Sequence, residues 1–232
     1  MRSFSLFNRG KFYFSIILAL IVFTSGCTID RKRATIEDTL PTHGQSLAVL
    51  GFKPAMTMTE PPGVIRSPFS GAVFMAEPVP QKIADYMTEN LFNRLEKKER
   101  FKLIPPKMTM GMLSQLIASD DNLQDIDIFQ KIGQAFSADA VMAGYLYRWQ
   151  EREGNGYSVK RPASVAFDLY LIRTLDKIII WKARFDKTQQ SLSENIFDLN
   201  FFLKGKGKWM TASELADLGL ESIFAKPLQA GK

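Results

Sequence analysis

Along residues 125–149 the spacing of apolar positions changes once, from helical to strand-like. Ile128, Phe129, Ile132, Gly133 and Phe136 fall on one face of a helix, with Asp125 or Asp127 placed to cap its start. Ser137, Ala138 and Asp139 break that period. From there Val141, Ala143, Tyr145, Tyr147 and Trp149 alternate with Met142, Gly144, Leu146 and Arg148, the period of a strand. Val165, Phe167, Leu169 and Leu171 alternate with Ala166, Asp168 and Tyr170, which predicts a second strand with one core face. Residues 178–185 predict a third, with Ile179, Trp181, Ala183 and Phe185 on one side and Lys182 and Arg184 on the other. Joined by a hairpin loop over 151–161 and a turn over 174–177, the three read as an antiparallel meander.

Upstream, the continuous apolar run 47–52, ended by Pro54, reads as a buried strand. Ile83, Met87, Leu91 and Leu95 recur every four residues in a helix over 80–98. Pro80 suits its first turn, and Lys97, Lys98 and Arg100 suit its C-terminal end. A short strand at 101–104 is stopped by Pro105 and Pro106, and Thr109 is placed to cap a second helix carrying Met112, Leu113, Leu116 and Ile117. Near the end, Thr211 and Glu214 match a capping box, and Leu215, Leu218, Gly219, Ser222 and Ile223 share the face of a last helix that Pro227 stops. Between 53 and 79, Pro54, Pro61, Pro62, Pro68 and Pro78 with Gly63 and Gly71 leave no expectation of a regular element. The pattern predicts an α/β (α+β) fold. Its expected architecture is a mixed sheet of about five strands, a C-terminal antiparallel meander, and helices packed on the sheet, in one domain over 47–232.

The first 26 residues have a different logic. Arg2, Arg9 and Lys11 precede an apolar run over 12–23, followed by Thr24, Ser25, Gly26 and Cys27. This is the pattern of a secretory signal peptide. About a dozen residues at ~1.5 Å each span ~18 Å, short of the ~30 Å hydrocarbon core, so a transmembrane helix is the weaker expectation. Cys27 is the only cysteine, so no disulfide forms within the chain. Residues 27–46 read as a tether: Asp30, Arg31, Lys32, Arg33, Glu37 and Asp38 with Pro41 and Gly44 as breakers. Ser25-Gly26-Cys27 after such a run resembles the lipobox of bacterial lipoproteins, with Thr24 where leucine is usual. The resemblance implies lipid, palmitate among it, on Cys27, and two or three acyl chains on one residue anchor stably. Thr28 in place of aspartate resembles the sorting signal for the outer membrane, which implies a domain on the periplasmic face.

Charge and chemistry narrow the function. The net charge of +6 falls to +3 once Arg2, Arg9 and Lys11 leave, too mild an excess to argue for nucleic acid. The only histidine, His43, lies in the tether, where no packed partner orients a catalytic base. With Cys27 committed to lipid, thiol chemistry and Cys/His zinc sites are closed. Asp120, Asp121, Asp125 and Asp127 do not have calcium-loop spacing and read as capping and solvation. Gly205-Lys206-Gly207-Lys208 lacks the phosphate-loop pattern. No catalytic, cofactor-binding or metal residues are expected. What remains is a protein-binding expectation. The apolar residues of 53–79, with Met56, Met58, Ile65 and Phe69 foremost, have no period to bury them, and unburied apolar surface marks a partner site. The alternative is that they cover the sheet. Lys204, Lys206 and Lys208 form a second candidate, for an acidic partner.

Three short stretches carry a family resemblance. Residues 47–52 (LAVLGF), 137–144 (SADAVMAG) and Leu169 to Ile172 with Ile180-Trp181 resemble motifs of a bacterial envelope family that includes the TolB N-terminal domain, LpoB and the periplasmic part of CsgG. Gly51 stands where that family often has proline, and Ser137 where it often has glycine. The resemblance, over roughly 47–225, implies a non-enzymatic binding or assembly module of the cell envelope with a protein partner and no catalytic residues, either monomeric or oligomeric. The alternatives are a subunit of a CsgG-like secretion complex and, less favoured, an envelope enzyme. Barrel strands need about 9–11 alternating residues, which neither 53–79 nor 151–161 supplies.

Overall fold

The computed structural model describes residues 44–119, 122–190 and 208–225. Cys27, His43, Asp120, Asp121, Lys204 and Lys206 lie outside the described residues. The chain runs β1 (Ser46–Pro54), β2 (Gly63–Arg66), β3 (Val73–Ala76), α1 (Gln81–Glu96), β4 (Lys102–Ile104), α2 (Pro106–Ser119) and α3 (Asp125–Ala135). It continues through β5 (Ala140–Gln150), β6 (Glu153–Gly154), β7 (Val159–Arg161), β8 (Ser164–Arg173), β9 (Ile179–Thr188) and α4 (Ala212–Ala225). The central sheet is mixed and five-stranded, in the order β4-β1-β5-β8-β9. β1 pairs in parallel with β4 and β5, and β5, β8 and β9 form the expected antiparallel meander.

The three central strands, β1, β5 and β8, are buried on both faces, while β9 turns Lys182 and Arg184 outward. On one face, Val49, Met142, Leu146, Phe167 and Leu169 meet Met87, Leu91 and Leu95 of α1 and Leu215 and Leu220 of α4. On the other, Ala48, Val141, Ala143, Tyr145 and Tyr170 meet Ile128, Phe129 and Ile132 of α3, Met112 and Leu116 of α2, and Phe74 and Ala76 of β3. The expectation of one core face for β8 is corrected: every residue of β8 except Arg173 is buried, because the strand is central and covered on both sides. Trp149 also departs from simple alternation. A bulge between Leu146 and Arg148 makes Tyr147 the extra residue, which returns Trp149 to the face that Leu146 occupies.

Three further corrections concern polar and proline positions. Residues 53–79 do contain regular structure. Pro61 and Pro62 precede β2, Pro68 lies in the turn, and Pro78 follows β3, so none interrupts the two four-residue strands. The turn is closed by Ser67 N–H donating to the Ala72 carbonyl at 2.7 Å. At α3 the capping position is Gln124, with no side-chain cap. Asp125 and Asp127 sit in the first turn, where the helix dipole favours them, and bind Lys53 and Lys177. Thr109 lies buried inside α2, and its hydroxyl donates to the Val49 carbonyl at 2.8 Å, pinning α2 to β1. The capping box of α4 forms as predicted: Thr211 N–H donates to Glu214 Oε2 at 2.8 Å, and Glu214 N–H donates to Thr211 Oγ1 at 3.2 Å.

Two residues of the family-like motifs stand where the backbone turns left-handed. Ser137 has φ +50, a conformation that suits the glycine usual there. Gly51 has φ +81 at a bulge in β1, a conformation closed to proline. A Cβ on Gly51 would meet the Thr88 side chain at 2.2 Å. That closeness is used: Phe52 N–H, freed by the bulge, donates to Thr88 Oγ1 at 2.8 Å, and Thr88 donates to the Ala84 carbonyl of α1 at 2.8 Å. Gly51→Ala combines left-handed strain of about 1–2 kcal/mol with overpacking of about 1–3 kcal/mol. Denaturant unfolding should show a loss of about 2–5 kcal/mol, partly recovered when Thr88→Ser is added. Unchanged stability would mean that β1 and α1 are not locked at this point.

Candidate functional site

The hairpin β2–β3 covers the part of the sheet that α2 and α3 leave open. Its two sides differ by parity. Ile65, Phe74 and Ala76 point at the sheet, while Val64, Arg66, Val73 and Met75 point away. Phe74 stacks on Tyr147 with ring centroids 3.9 Å apart and planes 7° from parallel, and the Arg184 guanidinium lies over the Phe74 ring at 4.4 Å. Phe69, in the turn, sits edge-on to Tyr170 at 5.2 Å and reaches Phe129 of α3 at 6.0 Å.

Beneath the hairpin is a buried polar cluster. Asp168 is 1% exposed; its Oδ2 accepts from Tyr170 at 2.5 Å and from Tyr147 at 3.0 Å. Ser67, also buried, shares a hydrogen bond with the Tyr170 hydroxyl at 2.5 Å, so the cluster ties the hairpin turn to the sheet. Burial raises the Asp168 carboxyl above its usual range, against the pull of the three hydroxyls around it. Burial likewise raises Tyr147, Tyr170 (to about 12) and their neighbour Tyr145, with Asp168 adding to each shift. Among the described residues Asp168 Oδ1 has no partner. Asp125 accepts from both Lys53, at 2.8 Å, and Tyr145, and so links α3, β1 and β5.

Two arginines fasten the far edge of the hairpin. Arg148 donates to the Met75 carbonyl at 2.7 Å and Arg184 to the Val73 carbonyl at 2.9 Å. The Asp186 carboxylate accepts from both, at 2.6 Å and 3.0 Å, and holds them in place.

The residues expected to bind a partner are thereby divided. Met56 is buried, and Ile65 and Phe69 pack against the core. Met58 is 63% exposed, and on the hairpin Val64 (66%), Met75 (62%) and Val73 (45%) are exposed as well. Val64 and Met75 are cross-strand neighbours on the outward side. The spacing-two signal in 63–66 and 73–76 identifies them; the surrounding prolines concealed it. Lys208 is described, with its ammonium 5.3 Å from the ring of the exposed Tyr157.

Asp168 is the site residue that sequence reasoning missed. Its signal was a lone carboxylate within an otherwise apolar strand. Sealed from solvent, with its donors engaged, it offers a substrate no approach. A cleft of about 470 Å³ lies where Gln45, Asp139, Arg173 and Thr174 meet. It sits at the N-terminal ends of β1 and β5, opposite to the end where open parallel sheets bind ligands. Asp139 is spent there on β1, accepting from Ser46 N–H at 2.7 Å and Ser46 Oγ at 2.8 Å, which holds its carboxyl below the usual range. Among the described residues no group of three or more His, Cys, Asp or Glu is placed to hold a metal, and no helix is long and apolar enough to cross a membrane.

No protein-family model matches the chain, and no curated relative is detected. Solved structures similar to it include a PelC dodecamer from Paraburkholderia phytofirmans, at 14% identity and TM-score 0.44, covering 84% of this chain and 94% of that one. The LpoB C-terminal domain from Salmonella enterica matches at 16% identity and TM-score 0.39, covering 67% and 91%. Lipoprotein GNA1162 from Neisseria meningitidis matches at 15% identity and TM-score 0.40, covering 68% and 92%. At these values the likenesses carry no functional argument.

The Asp168 cluster has a pH signature. Because burial raises its carboxyl, the folded chain keeps the proton where the unfolded chain, near pH 3.9, has lost it. Stability therefore falls as pH rises from about 4 through the raised native value. In Asp168→Asn, whose amide oxygen can still accept from both tyrosines, that slope should flatten, read from urea midpoints at a series of pH values. An identical slope in the variant would show that Asp168 titrates as it does in the unfolded chain.

Proposed function

We propose that this chain is a non-enzymatic lipoprotein of the cell envelope. Lipid on Cys27 anchors it to the outer membrane, and its α/β domain, on the periplasmic side, binds a protein partner through the outward side of the β2–β3 hairpin. The single observation that carries the binding surface is the grouping of Val64, Val73 and Met75, all exposed, on a hairpin whose opposite side is buried, with the exposed Met58 in the loop that leads into it. Apolar groups on a scaffold held this firmly are not spare core: the core beneath is already filled by Phe74, Ala76 and Ile65. An exposed apolar group on a rigid support is what a protein interface uses. Two methionines among the four give the surface adaptability. The anchor rests on Ser25-Gly26-Cys27 following a charged start and a short apolar run. The non-catalytic part is supported by the closure of Asp168 and by the commitment of Asp125, Asp139 and Asp186 to structural bonds.

One experiment addresses both halves. The native chain is purified from envelopes after crosslinking, beside the variant with Met58, Val64, Val73 and Met75 replaced by serine. The variant should lose its crosslinked partner and melt within about 2–4 °C of the parent, since exposed substitutions cost little. Mass spectrometry of the same sample should find acyl chains on an N-terminal Cys27. Full capture by the variant would move the binding surface elsewhere, and an unmodified Cys27 thiol would remove the anchor.

A further inference from the structure

The hairpin has two edges, and they are treated differently. Ser67 N–H bonds to the Ala72 carbonyl, which fixes the alternation of the ladder. Ile65 and Phe74 are then a hydrogen-bonded pair, as are Gly63 and Ala76, while Val64 with Met75 and Arg66 with Val73 are non-bonded pairs. The N–H and carbonyl groups of Val73 and Met75 therefore point out of one edge, and those of Val64 and Arg66 out of the other. The first edge is closed, since Arg184 and Arg148 donate to the Val73 and Met75 carbonyls. The second is open: among the described residues nothing bonds the backbone of Val64 or Arg66 outside the ladder. No proline or bulge within β2 blunts this edge, although folded proteins ordinarily block such edges.

We infer that the open edge of β2 is a strand-addition site for an extended, acidic peptide segment of the partner. Two N–H groups and two carbonyls, from Val64 and Arg66, offer the main-chain bonds. The side chains of both residues stand on the outward side, two positions apart, so an added strand places one apolar and one charged side chain beside them. Charge complementarity selects acid. Arg66 uses its Nη1 on the Gly71 carbonyl at 2.8 Å and forms no ion pair among the described residues. The acids of the flanking loops and of β9 have other bonds: Glu60 accepts from Thr57 N–H, Glu77 from Trp149 N–H, and Asp186 from the two arginines.

The inference rests on the proposed partner surface and names how that surface is read. The test uses the full chain in detergent and a fluorescein-labelled peptide, Ser-Thr-Val-Thr-Glu-Thr-Ser, with a counterpart carrying Lys for Glu. Anisotropy should show the Glu peptide binding about three- to tenfold more tightly, since the exchange replaces attraction to one exposed arginine by repulsion from it. Val64→Pro removes an outward N–H while leaving the bonded pairs of the hairpin intact, and should weaken binding about tenfold or more; Val64→Ala, which keeps the N–H, should stay within about threefold. Circular dichroism checks that both variants fold. Absence of binding, equal binding of the two peptides, or indifference to Val64→Pro each overturns the inference. So does Val64→Pro-insensitive binding to phosphatidylglycerol vesicles through Arg66, which would assign the cation to lipid. If envelope crosslinking survives Val64→Pro and is lost in the serine variant, the partner surface stands and strand addition falls.

Discussion

A sheet whose central strands are buried on both faces must be covered on both faces. On one side α1 and α4 do this in the ordinary way, with aliphatic side chains from two helices. On the other, α2 covers β1, α3 covers part of β5 and β8, and Tyr147 and Tyr170 are left to a hairpin inserted between β1 and α1. A hairpin of two four-residue strands cannot stand alone in water. Its order comes from the sheet, through the Phe74–Tyr147 stack, the Ser67–Tyr170–Asp168 hydroxyl chain and the paired arginines. Tyrosine on a buried face brings hydroxyls that need partners. Asp168 supplies an acceptor for two of them and carries the desolvation cost in its raised carboxyl.

The same attachment makes the hairpin useful. Because the inward side is filled and the β3 edge is closed, the outward side and the β2 edge are presented in one fixed arrangement. A partner meeting a fixed surface loses less entropy on docking than one that must order a loop. The binding role and the stability of the hairpin thus draw on different residues, and substitutions on one side leave the other in place.

Much of the fold was legible in the sequence, and the reasons for the misses are physical. The meander, α1 and the capping box of α4 are strong local patterns, and each formed where the spacing predicted, except that bulges at Tyr147 and Ile180 put Trp149 and Ile179 on the opposite faces from those expected. The hairpin was hidden by its flanking prolines, which are easily read as breakers of the whole stretch when they only bound its strands. β8 read as one-sided because Asp168 looks like a solvent-facing charge until Tyr147 and Tyr170 are seen around it. Thr109, Asp125 and Asp127 have the chemistry of caps, but tertiary partners claimed them: the Val49 carbonyl, Lys53 and Lys177. Of the four residues singled out for binding in 53–79, only Met58 is on the exposed surface. Sequence alone places apolar residues in the segment without saying which side of a strand each one takes.

A hairpin locked on one side and open on the other leaves its mark on residue-resolved amide hydrogen exchange of the full chain without any partner. Alternation is expected along β2, with the Ile65 amide protected, as is that of its partner Phe74 on β3, and the Val64 and Arg66 amides exchanging close to the unstructured rate. Equal protection of Val64 and Ile65 would show that the β2 edge is already covered. Equal, fast exchange of all four would show that the hairpin is not held to the sheet.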